Sequence, residues 1–298
     1  MAPLESILKT GDGLVLTCEH RWRTAPRATV VILHGYAEHA GRYTELVAAL
    51  DEAGYESHLL ELRGHGRSGG VRGYVDRFED YYGDVDMLLE GISLERIGEG
   101  RTQEQAPPRI LLGHSLGGLI SLGYVLRRPQ AFSALAVSSP FLRPAMEVPA
   151  LKAGLAAVVS HLAPKHLIRS EIDSRGLSHD PAVVAAYDED PLVFKTVSPH
   201  WFFEVKRTQE EIFERAAEIR LPTLFLLGGE DPIADPDRGR EVFGRLASPD
   251  KHLEVYPGFF HEVFNEVERA RVVRDLLSWL GKRTSPAAAT AAGPPPAR

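Results

Sequence analysis

The chain has 298 residues, 44% of them hydrophobic, and a formal net charge of −7. That length can bury one large core, which favours a single α/β domain carrying an insertion over two equal domains, and the acidic balance without a basic patch excludes nucleic acid as a partner. The lone Cys18 excludes an intramolecular disulfide and fits a reducing compartment, and no apolar run reaches the roughly 18–20 residues of a membrane span.

Residues 1–10 lack a charged segment followed by an apolar one, so no signal peptide is expected, and the location implied is cytoplasmic. Residues 4–9 and 14–22 carry β-formers on either side of Asp12-Gly13 and predict an opening hairpin. Residues 28–33 form a continuous apolar run, as in a parallel strand buried on both faces. A helix is expected over 42–53 with Gly54 as its cap, then a strand over 55–61, the Gly-rich loop 63–70 and a helix over 79–97. Ile110-Leu111-Leu112 leads into Gly113-His114-Ser115-Leu116-Gly117, and an apolar run at helical spacing follows. That is strand, sharp turn, helix, and residues 132–138 supply the next strand.

Residues 141–200 break the βα alternation. They hold an apolar stretch, 151–159, and several Pro-punctuated short helices, which predicts a helical lid over the carboxyl edge of the sheet. A helix over 202–219, a strand over 222–227, a helix over 237–247 and a strand over 252–256 resume the rhythm. An amphipathic helix over 266–280 is expected to stop at Gly281, and the Ala- and Pro-rich residues 284–298 read as a disordered tail. The predicted organisation is core over 1–140, lid over 141–200, core over 201–283, then the tail. The fold class is an α/β-hydrolase, a mostly parallel sheet flanked by helices, with the lid inserted after the sixth strand.

In Gly-x-Ser-x-Gly the serine takes a strained backbone and the helix passes close to the strand, so glycines at 113 and 117 have a steric reason. A serine hydroxyl needs an adjacent base, normally a histidine oriented by a carboxylate. In such sheets the acid and the histidine follow the serine in that order, each on a loop after a strand. Asp231 in Gly228-Gly229-Glu230-Asp231-Pro232 is the expected acid, with Glu230 and Asp235 as rivals, and His261 is the expected base. The oxyanion donors expected are the backbone N–H groups of Tyr36 and Leu116. His34 is assigned to ordering the oxyanion loop, His65 to structural hydrogen bonding and His114 to packing. No metal is expected, because no histidine pair has ligand spacing with a third ligand, and no cofactor is implied.

Four stretches resemble one family, the monoglyceride lipases and lysophospholipases, sometimes grouped with serine aminopeptidases. His34-Gly35-Tyr36-Ala37-Glu38-His39-Ala40-Gly41-Arg42-Tyr43 is similar to its oxyanion segment, Arg63-Gly64-His65-Gly66-Arg67-Ser68 to its Gly-His-Gly loop, and 113–118 to its elbow. Residues 180–192 resemble its cap segment, which ends in Tyr-x-x-Asp-Pro-Leu. Glu61 stands where many members have Asp; Arg42 fits the polar residues that animal members place near the glycerol exit, but Val183 and Phe264 stand where polar partners would be expected. The resemblance implies hydrolysis of the ester of a single-acyl-chain lipid, monoacylglycerol foremost, by Ser115, His261 and Asp231 through an acyl-enzyme. Lysophospholipid, general ester and thioester substrates stay open, as do an aminopeptidase-like activity, with Glu171, Asp173, Asp188 and Glu189 as candidate amine-binding acids, and a non-catalytic lipid binder. An apolar lid also implies transient contact with a membrane surface.

Overall fold

A computed structural model describes residues 4–98, 100, 102, 106–146, 156, 159–170 and 172–284. The chain opens as an antiparallel hairpin of β1 (Leu4–Lys9) and β2 (Val15–Arg21). It continues through β3 (Thr29–Leu33), α1 (Thr44–Glu52), β4 (Glu56–Leu60), α2 (Glu79–Gly98), β5 (Arg109–His114), α3 (Leu116–Arg127) and β6 (Ala134–Ser138). The insertion follows, with β7 (Ile168–Arg169), α4 (Pro181–Glu189), β8 (Thr196–Val197) and α5 (Pro199–Arg215). The closing elements are β9 (Thr223–Gly228), α6 (Pro236–Arg245), β10 (Lys251–Tyr256) and α7 (Arg269–Arg283).

Eight strands form one sheet in the order β1-β2-β4-β3-β5-β6-β9-β10. The pairs β1/β2 and β2/β4 are antiparallel and the remaining pairs parallel. Every residue of β3, β4, β6 and β9 is buried, because helices cover both faces. Successive side chains of a strand point to opposite faces. Val31 and Leu111 thus join the core with Tyr81, Tyr124 and Trp201 from α2, α3 and α5. Ile32 and Leu112 join the other, with Leu50 of α1 and Leu276 of α7. The parallel strands all end on the same edge of the sheet, and the loops after β3, β5, β6, β9 and β10 gather there.

Glycine is required where α3 crosses β3 and β5. A Cβ at Gly117 would stand 2.1 Å from the Leu33 carbonyl oxygen, and one at Gly113 would stand 2.3 Å from that of Gly117. At the end of α1, Gly54 takes φ 90° and donates to Asp51 O (3.0 Å) while Tyr55 N–H reaches Leu50 O (2.9 Å), a Schellman closure.

The last helix differs from the sequence expectation at both ends. It runs through Gly281 to Arg283, because Thr284 donates its N–H and Oγ to Leu280 O (3.1 and 3.0 Å) and Arg283 donates to Trp279 O (2.9 Å). Those donors satisfy the last carbonyls without a left-handed glycine. It begins at Arg269 because the Glu266 carboxylate is drawn back to the Phe260 N–H (2.8 Å). The insertion also differs from a run of short helices: β7 and β8 pair antiparallel, and α5 starts at Pro199, across the expected boundary at 200/201. Most of the apolar stretch 151–159 and the tail beyond Thr284 lie outside the described residues.

Candidate active site

Ser115 caps α3 with φ 51° and ψ −113°, a conformation β5 and α3 impose on a residue with a side chain. Its N–H donates to Ser138 O (3.0 Å), and its carbonyl accepts from Leu119 and Phe141 (both 3.0 Å). The turn is therefore held from three sides. Leu116 is the first residue of α3, so its N–H has no acceptor within the helix and lies at the positive end of the helix dipole.

Asp231 and His261 meet, although 30 residues separate them. Asp231 Oδ2 is 2.7 Å from His261 Nδ1, and both side chains are buried. Asp231 Oδ1 accepts from the N–H groups of Ile233 (2.8 Å) and Ala234 (2.9 Å), which aims the other oxygen at the imidazole. The two loops bind each other through Gly229 N–H to Tyr256 O (2.8 Å) and Glu230 N–H to Phe259 O (3.0 Å). A Cβ at Gly228 would stand 2.1 Å from Phe260 O, so that contact too depends on glycine. The rival acids are placed differently: Glu230 is exposed, while Asp235 caps α6 and pairs with Arg143 (2.6 Å). Burial opposes charge on His261, but Asp231, with Glu262 and Glu38 beyond it, raises the imidazole above its ordinary 6.5.

The other histidines are engaged beneath the site. His34 accepts at Nε2 from Leu62 N–H (3.0 Å), so its Nδ1 carries the proton donated to Gly35 O (2.8 Å). His65 Nδ1 donates to Arg63 O (2.9 Å), and burial pushes this imidazole down to about 3. His114 Nδ1 lies 2.9 Å from Ser138 Oγ, and burial followed by the neighbouring His261, 4.9 Å away between ring centroids, pushes it down to about 4. The Gly-rich loop is anchored by Arg63, which grips Asp84 with two bonds (2.7 and 2.6 Å). Glu61 is buried and accepts from Arg67 Nη2 at 3.0 Å.

Of a buried ionic cluster beside this pair, sequence reasoning gave a role only to Arg42, as a polar residue fitting the glycerol exit. Glu38 accepts from Gly35 N–H (2.5 Å), Tyr43 Oη (2.6 Å) and Arg42 Nε (3.1 Å). Arg42 Nη2 also donates to Glu262 (2.6 Å), which accepts from Asn265 Nδ2 (2.8 Å) and directly follows His261. Glu38 and Arg42 stand in the oxyanion segment quoted above, so the motif carried a signal, but their partner lies 220 residues along the chain. The insertion closes on the cluster: the Tyr187 ring sits 5.0 Å from the Arg42 guanidinium, His39 bonds Asp190 (2.8 Å), and Tyr36 Oη donates to Thr196 O (2.5 Å). Val183 is half-buried on α4 and Phe264 is part of the hydrophobic core. Of the candidate amine-binding acids, Asp173 pairs with Arg175 (2.7 Å) and Asp188 with Lys195 (2.8 Å), Glu189 lies on α4, and Glu171 lies outside the described residues.

The family model described as "Serine aminopeptidase, S33" matches residues 24–268. A monoacylglycerol lipase of Mycolicibacterium smegmatis is 37% identical over 258 residues, covering 86% of this chain and 89% of that protein. The phospholipase YtpA of Bacillus subtilis is 29% identical over 251 residues, 84% of this chain and 93% of that one. Among solved structures, the monoacylglycerol lipase of Paleococcus ferrophilus superposes with a TM-score of 0.79 at 29% identity, covering 96% of this chain and 100% of that one.

Proposed function

This chain belongs to the serine aminopeptidase S33 family of α/β-hydrolases, and on that premise we propose that it is a carboxylic ester hydrolase whose substrate is monoacylglycerol. Ser115 is the nucleophile, His261 the base and Asp231 the acid that orients it. The observation that carries this reading is the buried 2.7 Å bond between Asp231 and His261 Nδ1, on loops beside the strained Ser115 turn. With Nδ1–H donated to Asp231, Nε2 keeps its lone pair and takes the Ser115 proton as Oγ attacks the ester carbonyl. The carbonyl electron pair moves onto its oxygen, which the N–H groups of Tyr36 and Leu116 receive. The intermediate collapses, the glycerol oxygen leaves with the proton from His261, and water repeats the cycle to release the fatty acid and restore Ser115.

The insertion serves as the lid, and its outer face, where Leu162 is 76% exposed, touches the lipid surface that presents the substrate. A cytoplasmic protein working at the inner membrane surface fits this picture. No helix among the described residues is long and apolar enough to cross a membrane.

The test is labelling by a fluorophosphonate probe together with turnover of p-nitrophenyl esters, p-nitroanilides and monoacylglycerols. Ester preference with labelling lost in Ser115→Ala supports the reading; amide preference points to a peptidase, and absence of labelling to a binder. Only neutral His261 accepts a proton, so kcat/KM falls as pH drops through its raised value. Asp231→Asn removes the main counter-charge, moves that limb to lower pH and slows turnover by about 10⁴-fold.

A further inference from the structure

Tyr36 enters the proposed chemistry through its backbone N–H, yet its side chain crosses from the oxyanion segment to the insertion. The phenol donates to Thr196 O of β8 (2.5 Å), and the ring is packed by Trp201, Phe194 and His65, with centroids 4.2, 5.3 and 5.6 Å away. Burial pushes this phenol well above its ordinary 10, so it keeps the proton it donates. The donor peptide is thereby held at two points. In a trans peptide the N–H and C=O point opposite ways. His34 Nδ1 grips the Gly35 carbonyl (2.8 Å), so the Tyr36 N–H of the same unit points away from His34, and the Tyr36 side chain fixes the unit's other end.

A second observation comes from beyond the Gly-rich loop, where Gly73 takes φ 72° and is pressed against this bond. A Cβ there would stand 2.5 Å from Thr196 O and 2.9 Å from Tyr36 Oη, and the Gly73 carbonyl accepts from Ser198 N–H (2.8 Å). Three segments distant in the chain thus converge on one hydroxyl–carbonyl bond. Beside it Ala37 is left-handed at φ 66°, a conformation that a residue with a Cβ keeps only where its surroundings impose it. Its carbonyl accepts from Phe194 N–H of the insertion (3.3 Å).

We propose that the Tyr36 hydroxyl is a positioning group: by tying the oxyanion segment to Thr196, it sets the Tyr36 N–H where the developing oxyanion will stand. This rests on the ester-hydrolase reading above and adds a side chain to the backbone donors of that same site. Losing an oxyanion donor outright costs about 10²–10³-fold in turnover, and loosening one that His34 still holds costs about tenfold. The donors serve formation and breakdown of the acyl-enzyme alike, so kcat falls while KM stays.

The experiment measures hydrolysis of p-nitrophenyl hexanoate per fluorophosphonate-titrated site, and inhibition by an alkyl trifluoromethyl ketone. The ketone carbon bonds Ser115 Oγ as the hydroxyl proton passes to His261, and the carbonyl electron pair moves onto its oxygen, which becomes the oxyanion. Tyr36→Phe keeps the ring and removes only the hydroxyl, and Gly73→Ala wedges a methyl group against the same bond from another segment. In both variants kcat falls and the ketone's Ki rises about tenfold in step, with KM within about twofold of wild type. Wild-type kcat or Ki per titrated site in Tyr36→Phe would overturn the proposal, even if fewer sites titrate, because a merely structural hydroxyl would do no more than that. A raised KM with kcat unchanged would overturn it too, making the ring part of the substrate's path. Tyr36→Phe decides the matter even if Gly73→Ala does not fold. Wild-type protein that neither cuts the ester nor takes the label would instead remove the hydrolase reading and this proposal with it.

Discussion

The two halves of the insertion between β6 and β9 treat the rest of the molecule differently. The inner half is bonded to both loops of the candidate site. It reaches the oxyanion segment through Asp190–His39 and Tyr36–Thr196, and the histidine loop through Gly176 O and Leu177 O, which accept from His261 and Glu262. The outer half turns apolar side chains to solvent: Leu162, Leu167, Ile168 and Ile172 are 76, 37, 40 and 38% exposed. Polar groups that must be satisfied once buried fix the inner half in one place. Apolar surface with water as its neighbour gains only from something brought to it. The inner half is thus a wall of the candidate site, and the outer half is the surface that the proposed lid would offer to a substrate phase.

The severest way to break the comparison is to remove the cation on which the inner wall rests. Arg42→Ala leaves Glu38 and Glu262 buried without a counter-charge and strips the Tyr187 ring of its partner, which costs about 3–5 kcal/mol. Chemical denaturation should register that loss, with a matching fall in fluorophosphonate labelling as Glu38 releases the Gly35 N–H. Unchanged stability would mean that the inner half is not braced by these charges.

Charge on the outer half should do the reverse. Replacing Leu162 with Asp leaves the melting temperature and turnover of a soluble p-nitrophenyl ester near wild type, because its side chain is 76% exposed. Binding to liposomes and hydrolysis of dispersed monoacylglycerol should fall by about tenfold or more, since each methylene transferred to an apolar phase is worth about 0.8 kcal/mol. Equal losses on soluble and dispersed esters would make the two halves one structural unit.

The difference also marks what the amino-acid sequence discloses. The α/β-hydrolase fold was legible because parallel strands buried on both faces read as short apolar runs, and because Gly113 and Gly117 stand where α3 crosses within contact of β3 and β5. Ser115, Asp231 and His261 were each expected on loops after strands, and the structure puts all three at one edge of the sheet. The Arg42–Glu262 bond had no such local mark, since a salt bridge across 220 residues depends on which loops the sheet order brings together. The two-residue pair β7/β8 is too short to show a period, and the end of α7 was misread because side-chain and backbone donors did the work assigned to Gly281.

The finest probe of the inner half is Asp190→Asn. His39 Nδ1 accepts from Gly41 N–H (3.2 Å), so His39 Nε2 carries the proton donated to Asp190 Oδ2, while Oδ1 accepts from Leu192 N–H (2.8 Å). Two donors need two oxygens, and asparagine has one. One bond is lost whichever way the amide turns, at about 0.5–1 kcal/mol for a half-buried pair, or a drop of roughly 1–2 °C in melting temperature. Burial works against the Asp190 charge, but the bonds from His39 and Leu192 hold its carboxyl below the ordinary 3.8. Its contribution is therefore complete above that ordinary value and is lost only as pH falls through the lowered one. Melts of the wild type and the variant should differ by the same amount from neutral pH down to about pH 5 and converge only in stronger acid. Convergence already near pH 6 would assign the stabilisation to another group, and the His39–Asp190 bond would not be what holds the inner half to the oxyanion segment.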